Sequence, residues 1–143
     1  PGNITVRGNH IHHIALWKRT YQPAISFSGS GNIYSDNTVG FAPHTCMTGG
    51  GTNLSFYGNT LDTCCFESSD VGSFYVCGQG GTAFWGGRGG VVRNNTFIHI
   101  RNLDGTGVQG PSVQALVSCC SRATPSTLPR TVVSDSKLRS GVI

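Results

Sequence analysis

Short apolar segments recur along this chain at fixed distances from an asparagine. Four segments align on that residue, which we call the anchor: Asn9, Asn37, Asn59 and Asn95. Apolar residues stand three positions before each anchor, two after it and five after it. These three sets are Val6, Tyr34, Phe56 and Val92; Ile11, Val39, Leu61 and Phe97; and Ile14, Ala42, Cys64 and Ile100. The pattern predicts two short strands that meet at a corner, with these side chains pointing inward.

The residue before each anchor supports the prediction of a corner. It is Gly8, Asp36, Gly58 or Asn94, and all three residue types tolerate a left-handed backbone. An inward anchor side chain stacked on the anchor of the next repeat would satisfy buried backbone groups and form a ladder. Helical periodicity is nearly absent, and further strands are predicted within residues 24–29, 45–50 and 73–78.

The segments "GNHIHHI", "SDNTV", "YGNTL" and "RNNTFIHI" resemble the repeats of the pectin-lyase-like superfamily. The resemblance implies an all-β chain, a right-handed parallel β-helix of about four to five coils within residues 1–115. Each coil buries its apolar face only against its neighbours. The superfamily contains polysaccharide lyases, glycoside hydrolases, epimerases, adhesins and domains without known activity, so the resemblance alone does not choose an activity.

The segment 116–143 differs in character from the repeats. It is rich in Ser, Thr, Pro and basic residues and has no anchor asparagine, so we predict a disordered tail. Residues 1–121 carry six basic and five acidic side chains, whereas residues 122–143 carry four basic and one acidic. The net charge of +4 therefore belongs mostly to the tail, and we expect no nucleic-acid partner.

Three histidines, His10, His12 and His13, follow the first anchor. His10 and His12 share one face of a strand and resemble the start of a zinc site. The matching positions of the next repeat are Thr38 and Gly40, which supply no third ligand. We therefore expect solvated histidines, or histidines that contact a sugar, and no metal site.

The stretch "ALWKRTYQP" holds the candidate site. Lys18 and Arg19 form the close basic pair, and the resemblance to β-helix lyases implies that one of them could be a catalytic base, with Ca²⁺ as a possible cofactor. Trp17 and Tyr21 flank the pair and suit a sugar ring that carries a carboxylate. The alternative is a surface loop whose aromatic side chains cover the edge of a coil.

A second candidate lies in the glycine-rich stretch 77–90. Trp85 and Arg88 there are candidates for sugar binding, although such a loop more often packs its tryptophan against the fold. Glu67 and Asp70 share a loop and form a thin Ca²⁺ site at best. The acidic residues form no dense pair, which argues against hydrolysis.

Cysteines and glycosylation motifs bear on where the protein works. The chain has six cysteines, and we expect those in strands to be small core residues. Sequons at Asn3, Asn53 and Asn94 favour a secreted or cell-surface protein. No segment is long and apolar enough to span a membrane.

The sequence predicts a β-helix fragment of a longer protein that binds or modifies polysaccharide, with neighbouring coils of that parent as partners. We expect this chain alone not to be catalytic. A polysaccharide lyase or uronate epimerase is one alternative, and a structural or adhesive stalk is another.

Overall fold

The computed structural model describes residues 2–68, 71–76 and 89–100, together with the backbone of two strands near the C-terminus. Every regular element within these residues is a strand. The strands are β1 (Thr5–Arg7), β2 (His10–His12), β3 (Ile25–Phe27), β4 (Ile33–Ser35), β5 (Thr38–Ala42), β6 (Met47–Gly49), β7 (Ser55–Tyr57), β8 (Thr60–Cys64), β9 (Phe74–Val76), β10 (Val91–Arg93), β11 (Thr96–Ile98), β12 (Val132–Ser134) and β13 (Lys137–Arg139).

All strand pairs are parallel, and the strands form three sheets. Sheet A has the order β1-β4-β7-β10-β12, sheet B the order β2-β5-β8-β11-β13, and sheet C the order β3-β6-β9. The chain visits sheets A, B and C in turn and then returns to sheet A beside its previous strand. We call each such passage a coil. This confirms the predicted all-β class, and the arrangement is compatible with a parallel β-helix.

The strand register stacks the predicted inward residues in columns. Sheet A pairs Val6, Tyr34, Phe56 and Val92, and sheet B pairs Ile11, Val39, Leu61 and Phe97. From the second coil onward, these side chains are at most 5% exposed. Burial of each such side chain contributes about 1.5–3 kcal/mol. The three predicted strands of sheet C are also confirmed, and Phe27 and Phe74 from that sheet stack at 5.5 Å inside the core.

The anchors form the predicted ladder. The Nδ2 of Asn9 donates to Oδ1 of Asn37 at 2.9 Å, Asn37 donates to Asn59 at 3.0 Å, and Asn59 donates to Asn95 at 2.9 Å. The Oδ1 atoms of Asn37, Asn59 and Asn95 each also accept the backbone N–H of the anchor one coil earlier. Each Nδ2 from the second coil onward also donates to a carbonyl of the previous coil, such as that of Tyr34. One side chain per coil therefore satisfies several buried backbone groups.

Left-handed corners recur every five residues within each coil. Positive φ angles occur six residues before the anchor, one before it and four after it. The first set is Asn3, Gly31, Asn53 and Gly89, the second is Gly8, Asp36, Gly58 and Asn94, and the third is His13, Phe41, Thr63 and His99. The second set confirms the predicted corner. The third set includes aromatic and β-branched residues, for which this conformation is strained, so the coil geometry must enforce it.

Cys46 and Cys64 are fully buried, as their predicted core positions require, and they form a disulfide with a Cα–Cα distance of 5.9 Å. The bridge joins two successive coils.

Cys65 is a buried free thiol, and burial raises its pKa to about 12. It is therefore protonated and unreactive at neutral pH.

Two strands fall within the segment for which the sequence predicts disorder. β12 pairs with β10 in sheet A, and β13 pairs with β11 in sheet B. Val133 is the Cα partner of Val92, and Leu138 is the partner of Phe97. Apolar residues thus occupy the same register positions in these two strands without an anchor asparagine, and the division of the chain into repeats and a disordered tail stays a prediction. The rest of that tail lies outside the described residues.

Candidate functional site

A loop of residues 15–24 leaves the first coil between β2 and β3. Its ends are fixed, because Ile14 and Ala24 pack against the core cluster. Its middle presents large apolar side chains to solvent: Trp17 is 98% exposed and Tyr21 is 77% exposed. Exposed single apolar residues are common, but two exposed aromatic side chains on one loop each offer a flat apolar face to a ligand.

An ion pair holds this loop against a later coil. The Nε of Arg19 donates to Oε2 of Glu67 at 2.8 Å, and its Nη2 donates to Oε1. The backbone N–H of Glu67 donates to the carbonyl of Pro43 at 3.0 Å, so loops of three successive coils meet here. Both charged side chains are more than a third exposed. Water therefore screens the pair, which positions the loop more than it stabilises the fold.

The same ion pair bears on the chemistry of Arg19. The hydrogen bonds that Arg19 donates to the carboxylate of Glu67 raise the pKa of Arg19 and lower the pKa of Glu67. A raised pKa disfavours the neutral guanidine that a catalytic base needs. Both carboxylate oxygens of Glu67 accept hydrogen bonds from the guanidinium, so a Ca²⁺ ion at this carboxylate would compete with the charge of Arg19.

Lys18 differs from its neighbour Arg19. Its side chain is exposed, and it has no ion pair or hydrogen bond with any residue that the structure describes. An ammonium group without an internal partner is available to an anion in solution. The loop therefore places one accessible positive charge next to the exposed indole of Trp17.

Tyr21 covers a histidine that the sequence did not suggest as part of this site. The ring centroids of Tyr21 and His44 are 4.8 Å apart. His44 is only 8% exposed, and its buried Nδ1 has no hydrogen-bond partner among the residues that the structure describes. Burial lowers the pKa of His44, so its imidazole is neutral at pH 7. The sequence carried no signal for this contact, because it depends on how the loops of two coils meet.

Four of the six predicted site residues lie on one described loop, and their roles stay predictions. Trp17, Lys18, Arg19 and Tyr21 lie on the loop 15–24. The other two candidates, Trp85 and Arg88, lie outside the described residues. The sulfur of Cys46 is bonded to that of Cys64, so Cys46 is not available as a nucleophile beside His44.

The histidine cluster lies on the outside of the first coil, as predicted. His10 and His12 are exposed, and their ring centroids are 4.8 Å apart. His13 stacks on Phe41 of the next coil at 4.5 Å, and its Nδ1 lies 2.7 Å from Nδ1 of His12. Among the residues that the structure describes, no group of three or more His, Cys, Asp or Glu side chains is arranged to hold a metal ion.

Comparison with known protein families, with curated proteins and with solved structures finds no match to this chain. Within the described part of the chain, no helix has the length and apolar character needed to cross a membrane.

Proposed function

We propose that this chain is a right-handed parallel β-helix of the pectin-lyase-like kind, with about four to five coils, and that it binds an acidic polysaccharide. In this proposal it is part of a secreted or cell-surface protein and stacks against neighbouring coils of a longer parent. The single observation that carries the binding function is Trp17, an indole 98% exposed on a loop that is fixed at both ends.

Two features of the loop favour a sugar chain over a rounded apolar ligand. The indole of Trp17 and the phenol of Tyr21 offer flat faces on which pyranose rings can stack. Such faces are apolar in the middle and polar at the edge, like a sugar ring. A fixed loop also loses little conformational freedom when a ligand binds.

Charge favours a uronate polymer over a neutral glycan. Glu67 neutralises Arg19, whereas the ammonium of Lys18 is left for a carboxylate of the ligand. The neutral imidazole of His44 adds no charge. The expected mode is therefore stacking on Trp17 with one ion pair to Lys18, so the affinity should decrease moderately as salt rises.

The test is a calorimetric titration of the full chain with oligogalacturonate. Trp17→Ala should weaken binding by about tenfold or more, as expected for an anchoring tryptophan. Leu16→Ala is the matched control, because Leu16 is the adjacent residue and is 65% exposed; it should leave the affinity unchanged. Equal effects of the two substitutions would contradict the assignment, and no binding by the unaltered chain would favour a structural stalk.

A polysaccharide lyase or epimerase is the second candidate function, favoured by Lys18. In its deprotonated form, the side chain of Lys18 is suited to remove the proton next to a carboxylate of a bound uronate. A lyase should produce ultraviolet-absorbing unsaturated ends, and an epimerase should produce epimerised uronates. Both products are measured after incubation with oligogalacturonate, with and without Ca²⁺. Activity that Lys18→Ala removes while binding persists would establish it. Binding without product at any Ca²⁺ concentration would exclude it for this substrate.

A further inference from the structure

Glycine and Asn or Asp alternate at two corners of successive coils. One residue before the anchor, the chain has Gly8, Asp36, Gly58 and Asn94 in turn; six residues before it, the chain has Asn3, Gly31, Asn53 and Gly89. All eight have a left-handed backbone. The two corners are out of step, so a coil with glycine at one corner has Asn or Asp at the other.

The alternation has a steric cause. A Cβ atom on Gly31 would lie 2.5 Å from Oδ1 of Asn3, and one on Gly58 would lie 2.5 Å from Oδ1 of Asp36. Gly89 stands in the same relation to Asn53. In each case the polar side chain of one coil occupies the space beside the glycine of the following coil. Where one coil has Asn or Asp at a corner, the next coil must therefore have glycine at the same corner.

Among the four glycines at these two corners, only Gly8 has no other atom in the space that a Cβ atom would take. Its φ is +69°, like those of its counterparts, but a Cβ atom there would meet nothing within 4 Å. The polar side chain that fills this space at Gly58 comes from the preceding coil. The empty space at Gly8 therefore faces the edge that β1 and β2 form at the end of sheets A and B.

Hydrogen-bonding groups and one apolar side chain of the first coil are also uncovered at this edge. The Oδ1 of Asn9 accepts none of the hydrogen bonds of the described residues, whereas Oδ1 of the next anchor, Asn37, accepts two from Asn9. In later coils the N–H groups equivalent to those of Thr5 and His10 donate to the previous coil. Ile4 is 45% exposed at the same edge. Unpaired polar groups and uncovered apolar surface thus coincide there.

We propose that this edge is a docking surface for one further coil of the same repeat. The occupant carries an Asn anchor, Asn or Asp one residue before it, and glycine six residues before it. Its acidic or amide side chain fills the space at Gly8, its anchor donates to Oδ1 of Asn9, and its apolar residues cover Val6 and Ile11. The alternation of glycine with Asn or Asp at the two corners thus determines which coils can stack next to one another. It does so in addition to the hydrophobic pattern.

The chain itself contains a suitable occupant in the coil of residues 30–51. It has Gly31, Asp36 and Asn37 in the required positions. Ser30 forms a parallel bridge with both Gly2 and Thr52, so this segment spans one full coil. A copy of residues 30–51 joined directly ahead of Gly2 in the full chain therefore supplies the docking coil in register.

The experiment compares two such extended chains by hydrogen exchange and urea unfolding. One carries the copy unchanged; the other carries Gly31→Asn and Asp36→Gly within the copy, which reverses its corners. The unchanged copy should slow exchange of the Thr5 and His10 amides by about tenfold or more, as expected for newly formed buried hydrogen bonds, and should raise the unfolding midpoint. The reversed copy should give less of both. Equal protection from the two copies, or none from either, would overturn the proposal.

Two further measurements keep the result interpretable if the reversed copy fails to fold. Gly8→Ala is made in both the extended and the unextended chain, so that its own cost cancels; the difference in midpoint between these two chains should be much smaller than without the substitution, because the Cβ takes the place of the incoming side chain, and an unchanged difference would contradict the proposed contact. Sedimentation of the unextended chain is the second measurement. A dimer in which the Thr5 and His10 amides are already protected would mean that a second copy covers the edge, which also overturns the proposal.

Discussion

Removal of the Asn59 side chain should be among the most damaging single changes to the fold. Its Oδ1 accepts from the backbone N–H and from Nδ2 of Asn37, and its Nδ2 donates to Tyr34 O and to Oδ1 of Asn95. The residue is 1% exposed, so water cannot replace these partners. Asn59→Ala leaves the N–H of Asn37 without its partner and also creates a small cavity.

The magnitude follows from these contacts. Each buried polar group left without a partner costs about 1–3 kcal/mol, so the change should lower the free energy of unfolding by about 3–5 kcal/mol. Asn9→Ala is the matched control, because Asn9 ends the ladder and is exposed; it should cost only about 0.5–1.5 kcal/mol. Urea unfolding followed by far-ultraviolet circular dichroism measures both. Similar costs for the two variants would refute the claim that the buried ladder stabilises the coils.

Three further predictions concern the corners, the disulfide and the buried histidine. Gly58→Ala should cost about 2–3 kcal/mol and Gly8→Ala only about 1–2 kcal/mol, since both pay for a left-handed alanine but only the former clashes with the preceding coil; equal unfolding midpoints would contradict this. Reduction of the Cys46–Cys64 disulfide, which spans 18 residues, should lower stability by about 3 kcal/mol, and an unchanged melting temperature under reducing conditions would argue against the bridge. Burial lowers the pKa of His44, so the unfolded state binds more protons and stability should fall as the pH drops from about 7 to 5; His44→Gln should flatten that dependence, and an identical slope would count against the burial of this imidazole.

The sequence could predict the columns of the fold because each depends on local spacing. Val39 and Leu61, for example, each lie two residues after an anchor. This offset stays the same whatever the length of the loops between the coils. Their pairing in sheet B follows directly. The corner four residues after the anchor could not be predicted, because Phe41 and Thr63 are not residues that favour a left-handed backbone. The corner six residues before the anchor does have a sequence signal, which is the alternation of asparagine and glycine at that position.

The candidate site was predictable only in part. The aromatic and basic residues of the loop 15–24 are adjacent in sequence, so their proximity needed no fold. The partners of that loop come from later coils: Glu67 is 48 residues from Arg19, and His44 reaches Tyr21 only because successive coils stack their loops. The strands β12 and β13 lack the main sequence signal of the repeats, since Val133 and Leu138 follow the apolar pattern where the anchor asparagine is absent.

The most direct test of the stacked-coil account is amide hydrogen exchange at the residues that follow the second, third and fourth anchors. The N–H of Thr38 donates to the carbonyl of Asn9, that of Thr60 to Asn37 and that of Thr96 to Asn59, each at 2.8 Å. Each bond crosses between coils, so none can form in a chain whose coils are not stacked. The account predicts that these three amides exchange slowly and lose their protection together as urea is raised. Exchange at the rate of an unstructured peptide at any of the three would contradict it.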